Sequence, residues 1–144
     1  MNENRLKHLE FIQNIITRMN ANSFAIKGWS VTLVSALFAL AADKADRSFV
    51  IIAYVPVICF WALDAFYLSQ ERQYRALYGE VAKRIERDTD FNLDASGFNA
   101  GNRTWGNCVF SKTLCPFHGT LLVVVVFAML YLWLFAAVGA PHQP

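Results

Sequence analysis

The chain has 144 residues, of which 56% are hydrophobic and 15% aromatic, while only 17% are charged. Globular proteins carry about 25% charged residues, so this composition is typical of a small membrane protein and leaves too little polar sequence for a separate soluble enzyme domain. The formal net charge of +2 excludes little by itself, whereas the distribution of the charges along the chain is informative.

The first segment of the chain predicts an amphipathic helix. Between residues 4 and 20, apolar side chains recur every three or four positions, with polar side chains between them. These apolar residues are Leu6, Leu9, Ile12, Ile16 and Met19. No proline or glycine interrupts the sequence before Gly28, so a single helix of about 38 residues is expected to run on through the first membrane span. The alternative is a helix that lies flat on the lipid surface.

Three stretches approach the length and apolarity that a helix needs to cross roughly 30 Å of hydrocarbon. They are residues 26–42, 49–68 and 120–140. The third holds no charged residue, whereas the second contains Asp64 and continues into a charged helix with an apolar stripe at Leu77, Val81 and Ile85. Pro56 lacks a backbone donor and is a candidate for a kink in the second span.

The basic residues predict the orientation of the spans. Of the 13 lysines and arginines, four precede or begin the first span and seven lie between the second and third, leaving only Lys44 and Arg47 in the first turn. Cytoplasmic flanks are enriched in Lys and Arg. We therefore predict a cytoplasmic amphipathic helix over residues 1–25, a transmembrane hairpin over 26–68, a cytoplasmic helix and cap over 69–119, and an outward-facing C-terminus.

The turn between the first two spans predicts which residues face each other. It is centred between Ala45 and Asp46, so Asp64 faces Lys27, and both lie about 22 Å inward from the outer interface. An unpaired charge costs about 2.5 to 3.5 kcal/mol at the centre of a bilayer, so we predict that the two side chains meet, within one subunit or between subunits. The pair either only fixes the hairpin, or Asp64 contributes to a ring of carboxylates at the inner mouth of an oligomeric pore.

Small and hydroxyl side chains recur along the first span at spacings of three and four. They are Gly28, Thr32, Ser35, Ala36, Ala39 and Ala42. This spacing lets transmembrane helices approach closely, and it indicates either simple helix packing or a pore face that includes Thr32 and Ser35.

The segment from Asp88 to Gly119 is rich in Asn, Gly and Asp and is long for an idle loop, which suggests a packed cap or a ligand site. It combines cations with aromatic rings at Arg103, Trp105, Phe110 and Lys112, and the preceding helix adds Lys83 and Arg84. Cations beside stackable rings are typical of single-stranded nucleic acid or nucleotide binding. The alternative is that topology alone requires this basic flank.

The cysteines predict no metal site. Cys108, Cys115 and His118 are spaced C-x6-C-x2-H, and a closed zinc site needs four ligands at tighter spacing, so we assign no metal or other cofactor. Residues 1–25 lack the apolar core and cleavage site of a secretory signal, so we expect free thiols. No phosphate-binding glycine loop, nucleophile elbow or HExxH motif occurs, and we expect no enzyme activity.

Two stretches, NSFAIKGWSVTLVSALFALAAD and FWALDAFYLSQERQYRALY, resemble small bacterial membrane proteins found with anti-phage defence genes. The resemblance covers residues 5–87 and is to the membrane effectors of nucleotide-signal immunity, the Hailong effectors among them. It implies an oligomeric channel in the bacterial inner membrane and a partner nucleotidyltransferase. It also implies that a DNA oligomer made by that partner holds the channel shut by binding a crown over residues 70–117. Arg103, Trp105 and Lys112 are candidate contacts there on the chemistry of their side chains.

Together these features predict an all-α chain with three transmembrane helices, long helices extending into the cytoplasm and assembly into a homo-oligomeric ring. The expected function is an ion channel gated by a nucleotide or single-stranded DNA signal. Two alternatives stay open: a non-conducting membrane scaffold that recruits a soluble partner, and a lone small transporter subunit.

Overall fold

The computed structural model describes residues 3–44, 48–83 and 90–138, and within these ranges the chain is helical with no strand. The α-helices are α1 (Glu3–Lys44), α2 (Ser48–Ile52), α3 (Tyr54–Lys83), α4 (Trp105–Val109) and α5 (Leu114–Val138). Two 3-10 turns, Ser96–Phe98 and Gly101–Arg103, precede α4. The described chain contains three helical stretches long and apolar enough to cross a membrane, formed by α1, by α2 with α3, and by α5.

Helix α1 is continuous over 42 residues, as the absence of a helix breaker before Gly28 predicts. Its length is about 63 Å, twice the thickness of a hydrocarbon core. In its N-terminal half, Ile12 and Ile16 are buried against Leu77 and Val81 of α3. The two predicted apolar stripes therefore face each other, and the N-terminal half of α1 packs on α3 instead of lying apart from it as a surface helix.

The second apolar stretch is interrupted at Ala53, between α2 and α3. Pro56 lies three residues later, where it has no N–H to donate and its ring crowds the carbonyl of Ile52, the last residue of α2. The Ala53 amide is still paired, because it donates to the carbonyl of Phe49 at 3.2 Å. The expected kink is thus a short break that leaves α2 and α3 as two helices.

Helix α5 begins at Leu114, six residues before the start of the predicted third span. Ser111 sets this start, because its hydroxyl accepts the Leu114 amide at 3.2 Å while its carbonyl accepts the Cys115 amide. Pro116 fits because the first turn of a helix needs no amide there. This start places His118, which the sequence assigned to the cap segment, on a helix. The end of the predicted span, residues 139–140, lies outside the described residues.

In the membrane part, α1 and α5 both pack on α3. Val34 of α1, Val57 of α3 and Val125 of α5 are buried in one cluster. Only 11% of the most apolar stretch of α5 is buried, and large side chains such as Phe127 and Trp133 are mostly exposed. A helix of this apolarity with so much uncovered surface requires lipid or another protein around it.

The segment from residue 90 to residue 113 lies along α3 and is fixed to it by hydrogen bonds to backbone carbonyls. Ser69 donates to the carbonyl of Arg103, and Trp61 donates to the carbonyl of Val109 at 2.9 Å. This segment, with residues 3–22 of α1 and 70–83 of α3, forms what we call the basic end of the molecule.

Candidate functional site

The described residue with the most unusual environment is Asp64, a carboxylate with no exposed surface inside an apolar stretch of α3. Its two oxygens receive three partners. Ser23 donates to Oδ1, while Oδ2 lies 2.6 Å from Lys27 Nζ and 2.9 Å from His118 Nε2. A buried carboxylate is tolerated when its lone pairs are satisfied in this way, and the three partners come from two other helices, α1 and α5.

The contact between Lys27 and Asp64 is present within one chain, as the hairpin geometry predicts. Lys27 Nζ also lies 2.7 Å from the hydroxyl of Ser23, one turn earlier on α1. Ser23 thus accepts from Lys27 and donates to Asp64, so α1 approaches the carboxylate through two side chains. Lys27 is 25% exposed, which leaves its stem along the helix surface and its ammonium on the buried carboxylate.

His118 is the partner that the sequence did not indicate. It is fully buried, and its ring stacks on Trp61 with the two centroids 5.9 Å apart. Because a carboxylate only accepts, Nε2 donates its hydrogen to Asp64. Nδ1 is buried and has no partner among the described residues. His118 therefore connects α5 to α3 through the hydrogen bond of Nε2, while Nδ1 makes no hydrogen bond within the described residues.

The side chains of Ser23, Lys27, Asp64 and His118 form a hydrogen-bonded polar cluster that connects α1, α3 and α5. Three donors converge on one carboxylate between three helices, and the charge of Asp64 is offset by that of Lys27. All four side chains lie at least partly below the surface of the chain. The carboxylate in a single chain faces α1 and α5, and the proposed ring of carboxylates would require it to face a shared axis instead.

The other predicted pore residues lie on a different face of α1. Thr32 and Ser35 are exposed, as are the small residues one turn to either side of them. The hydroxyl of Thr32 donates to the carbonyl of Gly28 at 2.9 Å, which satisfies it without a neighbouring chain. A Cβ built on Gly28 meets nothing within 4 Å. Neither α3 nor α5 covers this small-residue face.

Two of the predicted ligand-binding residues make structural hydrogen bonds. Arg103 donates from Nε to the carbonyl of Phe98 at 2.7 Å, and Trp105 donates from Nε1 to the carbonyl of Ala62 at 2.9 Å, so both also hold the 90–113 segment in place. Lys83 is exposed at the last residue of α3. Arg84 lies outside the described residues.

Phe110 and Lys112 do lie together, in a surface groove whose other lining residues the sequence did not predict. The groove at these two residues measures about 530 Å³ and includes Arg72, Asn102 and Asn107. Phe110 is 77% exposed. Arg72 belongs to α3, and its place beside Lys112 depends on how the loop folds back, which sequence spacing does not reveal.

A second buried histidine fixes the other end of the cap. His8 of α1 is 1% exposed, and its Nε2 lies 2.9 Å from the carbonyl of Asn92. Its ring centroid is 5.5 Å from that of Phe91, a residue with a positive φ of 51°. No periodicity distinguishes this histidine from its neighbours, and only the fold of the 90–98 turn shows its role.

The cysteines do not form a common site. Cys108 is buried, with its Sγ 3.6 Å from the carbonyl of Asn102, whereas Cys59 and Cys115 are exposed, and all three are unpaired. Within residues 3–44, 48–83 and 90–138, no group of three His, Cys, Asp or Glu side chains is placed to hold a metal ion. His118 turns to Asp64 instead of to the cysteines.

Two pKa shifts occur in the 90–113 segment. Burial raises the pKa of the Cys108 thiol, although the nearby guanidinium of Arg72 opposes this. Hydrogen bonds from Ser96 lower the pKa of the Asp94 carboxyl, which accepts the Ser96 amide at 2.8 Å. Neither group touches the Asp64 cluster.

Comparisons with protein-family models, with curated proteins and with solved structures gave no match for this chain.

Proposed function

We propose that the chain is one subunit of a homo-oligomeric membrane channel, in which the small-residue face of α1 meets its copies around a shared axis. The single observation that supports this is the exposure of Gly28, Thr32, Ser35 and Ala39 along a helix long enough to cross the membrane. Small residues let helices approach closely in lipid, and hydroxyls provide polar groups for a hydrated path.

Among the described residues, the interior of one chain offers no route for an ion. Val34, Val57 and Val125 close the space between α1, α3 and α5, and the Asp64 cluster closes it again about two turns further along α3. Any path for solute therefore runs between chains. In this proposal Lys27, Asp64 and His118 hold the three helices at a fixed angle, and Thr32 and Ser35 are the residues that approach the path.

The orientation and regulation of the proposed channel follow from the sequence. The basic end faces the cytoplasm by the distribution of Lys and Arg, in a bacterial inner membrane. The resemblance to defence effectors adds an anti-phage role and gating by a nucleotide or single-stranded DNA oligomer from a partner nucleotidyltransferase. Phe110 and Lys112 are the two predicted ligand residues that share a groove.

Ion flux tests the channel itself. The purified protein is reconstituted in liposomes loaded with potassium, and efflux is followed with a potassium-sensitive dye. We expect efflux from wild-type vesicles and a several-fold reduction for Ser35→Leu, which narrows and dries the proposed path. Val124→Leu on the exposed surface of α5 is the matched control and should conduct normally. Absence of efflux from wild-type vesicles under all ionic conditions contradicts a channel.

Oligomeric state tests the assembly separately. Since a side chain at Gly28 has open space within one chain, Gly28→Leu should fold normally yet dissociate the oligomer in detergent. Size-exclusion chromatography with light scattering measures the mass of the protein part. A monomeric wild type, or an oligomer unchanged by Gly28→Leu, removes α1 from the interface.

A salt-dependent gel shift with short single-stranded DNA tests the signal. Phosphate contacts weaken as salt rises, so binding at low salt should fall steeply with added salt and should be reduced by Lys112→Gln. If the protein does not bind single-stranded DNA even at low salt, the proposed gating signal is wrong, whereas the channel proposal is unaffected.

A non-conducting scaffold is the second candidate, and one observation favours it. Phe11 and Phe91 are 49% and 40% exposed at the basic end, with their ring centroids 6.4 Å apart. Exposed neighbouring aromatic rings outside the membrane stretch are typical of protein contacts. A scaffold would form oligomers or recruit a soluble protein without potassium efflux.

A further inference from the structure

We propose that the groove formed by Arg72, Asn102, Asn107, Phe110 and Lys112 binds the phosphate of an anionic phospholipid from the inner leaflet. This inference does not depend on whether the protein conducts ions.

The position of the groove follows from α5. Helix α5 has 25 residues, or about 37 Å, which is more than enough to cross the roughly 30 Å hydrocarbon core, and we place its first residue, Leu114, at the inner edge because the polar residues Ser111, Lys112 and Thr113 directly precede it. Leu114 packs in a cluster with Leu68 of α3, so Leu68 lies at the inner edge of that core. Arg72 is one turn further along α3, about 6 Å beyond this edge, and the headgroup layer adds about 5 to 8 Å on each side.

The charges of the groove suit a phosphate. Arg72 and Lys112 supply two cations and Asn102 supplies a side-chain amide, and no carboxylate among the described residues lines the groove. Arg72 uses Nη1 to hold the carbonyl of Asn102 and the sulfur of Cys108, which fixes its guanidinium in place. Its Nε and Nη2 have no partner within the described part of the chain, so a guanidinium held at headgroup depth still has donors to offer.

The apolar side of the groove suits an acyl chain. Phe110 is 77% exposed next to Lys112, beside the first turn of an apolar helix. Exposing a large apolar ring to water is unfavourable, whereas at the membrane interface, where aromatic side chains are enriched, lipid covers the ring. Basic pockets between transmembrane helices on the cytoplasmic side are typical sites for anionic lipid headgroups. An oligonucleotide would use the same cations and would stack on Phe110, so the experiment compares the two ligands.

Native mass spectrometry of the full-length protein in detergent tests this site. The protein is mixed with equal amounts of phosphatidylglycerol and phosphatidylcholine whose acyl chains differ in mass, and bound lipids are counted. We expect the wild type to retain phosphatidylglycerol preferentially. Lys112→Gln should lower that preference about fivefold, because one cation near a membrane surface contributes about that much to the attraction of an anionic lipid.

Lys83→Gln is the matched control, since it removes the same charge from an exposed lysine 11 residues past Arg72 on the same helix. It should keep the preference of the wild type. Phe110→Ala should release both lipids more readily while keeping the ratio between them, because the ring contacts the acyl chain that the two lipids share.

Three results overturn the proposal. One is equal retention of the two lipids by the wild type. Another is an equal loss of preference in Lys112→Gln and Lys83→Gln, which would mean that net charge alone attracts the lipid. The third is Lys112-dependent binding of a short oligonucleotide by a protein that shows no preference for phosphatidylglycerol, which would make the groove a nucleotide site.

Discussion

Asp64 concentrates more of the polar bonding of the membrane part than any other described residue, because α1, α3 and α5 all meet at its carboxylate. The largest effect of such a cluster on stability is the free-energy cost of removing one of its members. Burying two paired charges often contributes little net stability, whereas leaving one of them unpaired is expensive. The arrangement thus specifies how the helices fit together more than it adds to their stability.

A double-mutant cycle on this pair follows from that asymmetry. Asp64→Leu leaves Lys27 unpaired, and removing one partner of a buried pair costs about 3 to 5 kcal/mol; because Lys27 is 25% exposed, we expect about 2 to 4. Adding Lys27→Met should restore a large part of this loss, with His118 still lacking its acceptor. Thermal unfolding in mild detergent measures the cycle, and additive losses in the double variant would show that the pair is uncoupled.

Cys108 allows a second test at the scale of one residue. Its burial raises the pKa of the thiol, so less thiolate is present at neutral pH, and the side chain has no exposed surface. N-ethylmaleimide should label it much more slowly than the exposed Cys115, and its labelling should accelerate as pH rises. Mass spectrometry of peptides after timed labelling gives both rates. Equal rates at neutral pH would mean that the 90–113 segment does not cover Cys108 in solution.

Among the helices, α1 shows how one element serves two environments. Its C-terminal half lies at membrane level, while its N-terminal half continues outward and packs on α3 through Ile12 and Ile16. A helical segment in water gains most of its stability from such packing rather than from its own propensity. The stability of the N-terminal half of α1 therefore depends on its contact with α3 at the basic end.

Ile12→Ala should loosen that contact without affecting the membrane part. Ile12 has no exposed surface, and truncating a buried isoleucine costs about 2 to 5 kcal/mol. Hydrogen exchange in residues 3–22 should accelerate, while α5 keeps its protection. Phe11→Ala, at a neighbouring residue that is 49% exposed, provides the comparison and should leave exchange nearly unchanged. Equal acceleration in both variants would place Ile12 at a surface.

The elements also explain which contacts the sequence could predict. Lys27 and Asp64 lie on helices joined by a short turn, so a constant rise per residue gives their relative depth, and the contact follows. His118 lies after the 90–113 segment, whose 3-10 turns and bends have no constant rise. The sequence therefore could not show that His118 lies at the same depth as Asp64. The same irregular segment separates Arg72 from Lys112, so their proximity could not be predicted either.

On the scale of the whole molecule, the described chain has an apolar membrane region with uncovered surface and a polar region held together by hydrogen bonds. The membrane region exposes apolar side chains on α5 and small ones on α1, which only lipid or further copies can cover. At the basic end, side chains of α3 instead donate hydrogen bonds to carbonyl groups of the polar 90–113 segment. The line between them runs near Leu68 and Leu114, so orientation in the membrane decides which side the groove and the cap face.

The orientation is therefore the last prediction, and impermeant cysteine labelling measures it in a variant without the three native cysteines. Gln13→Cys lies on the exposed surface of α1 at the basic end, and Ser48→Cys lies at the start of α2, at the opposite side of the membrane region. Since Lys and Arg favour the cytoplasmic side, an impermeant maleimide should label position 48 in spheroplasts with intact inner membranes and position 13 only after these membranes are broken. The reverse pattern would place the basic end outside the cell, away from any cytoplasmic signal and any inner-leaflet lipid. Both the gating proposal and the lipid site would then have to be abandoned together, although the helix packing around Asp64 would stand.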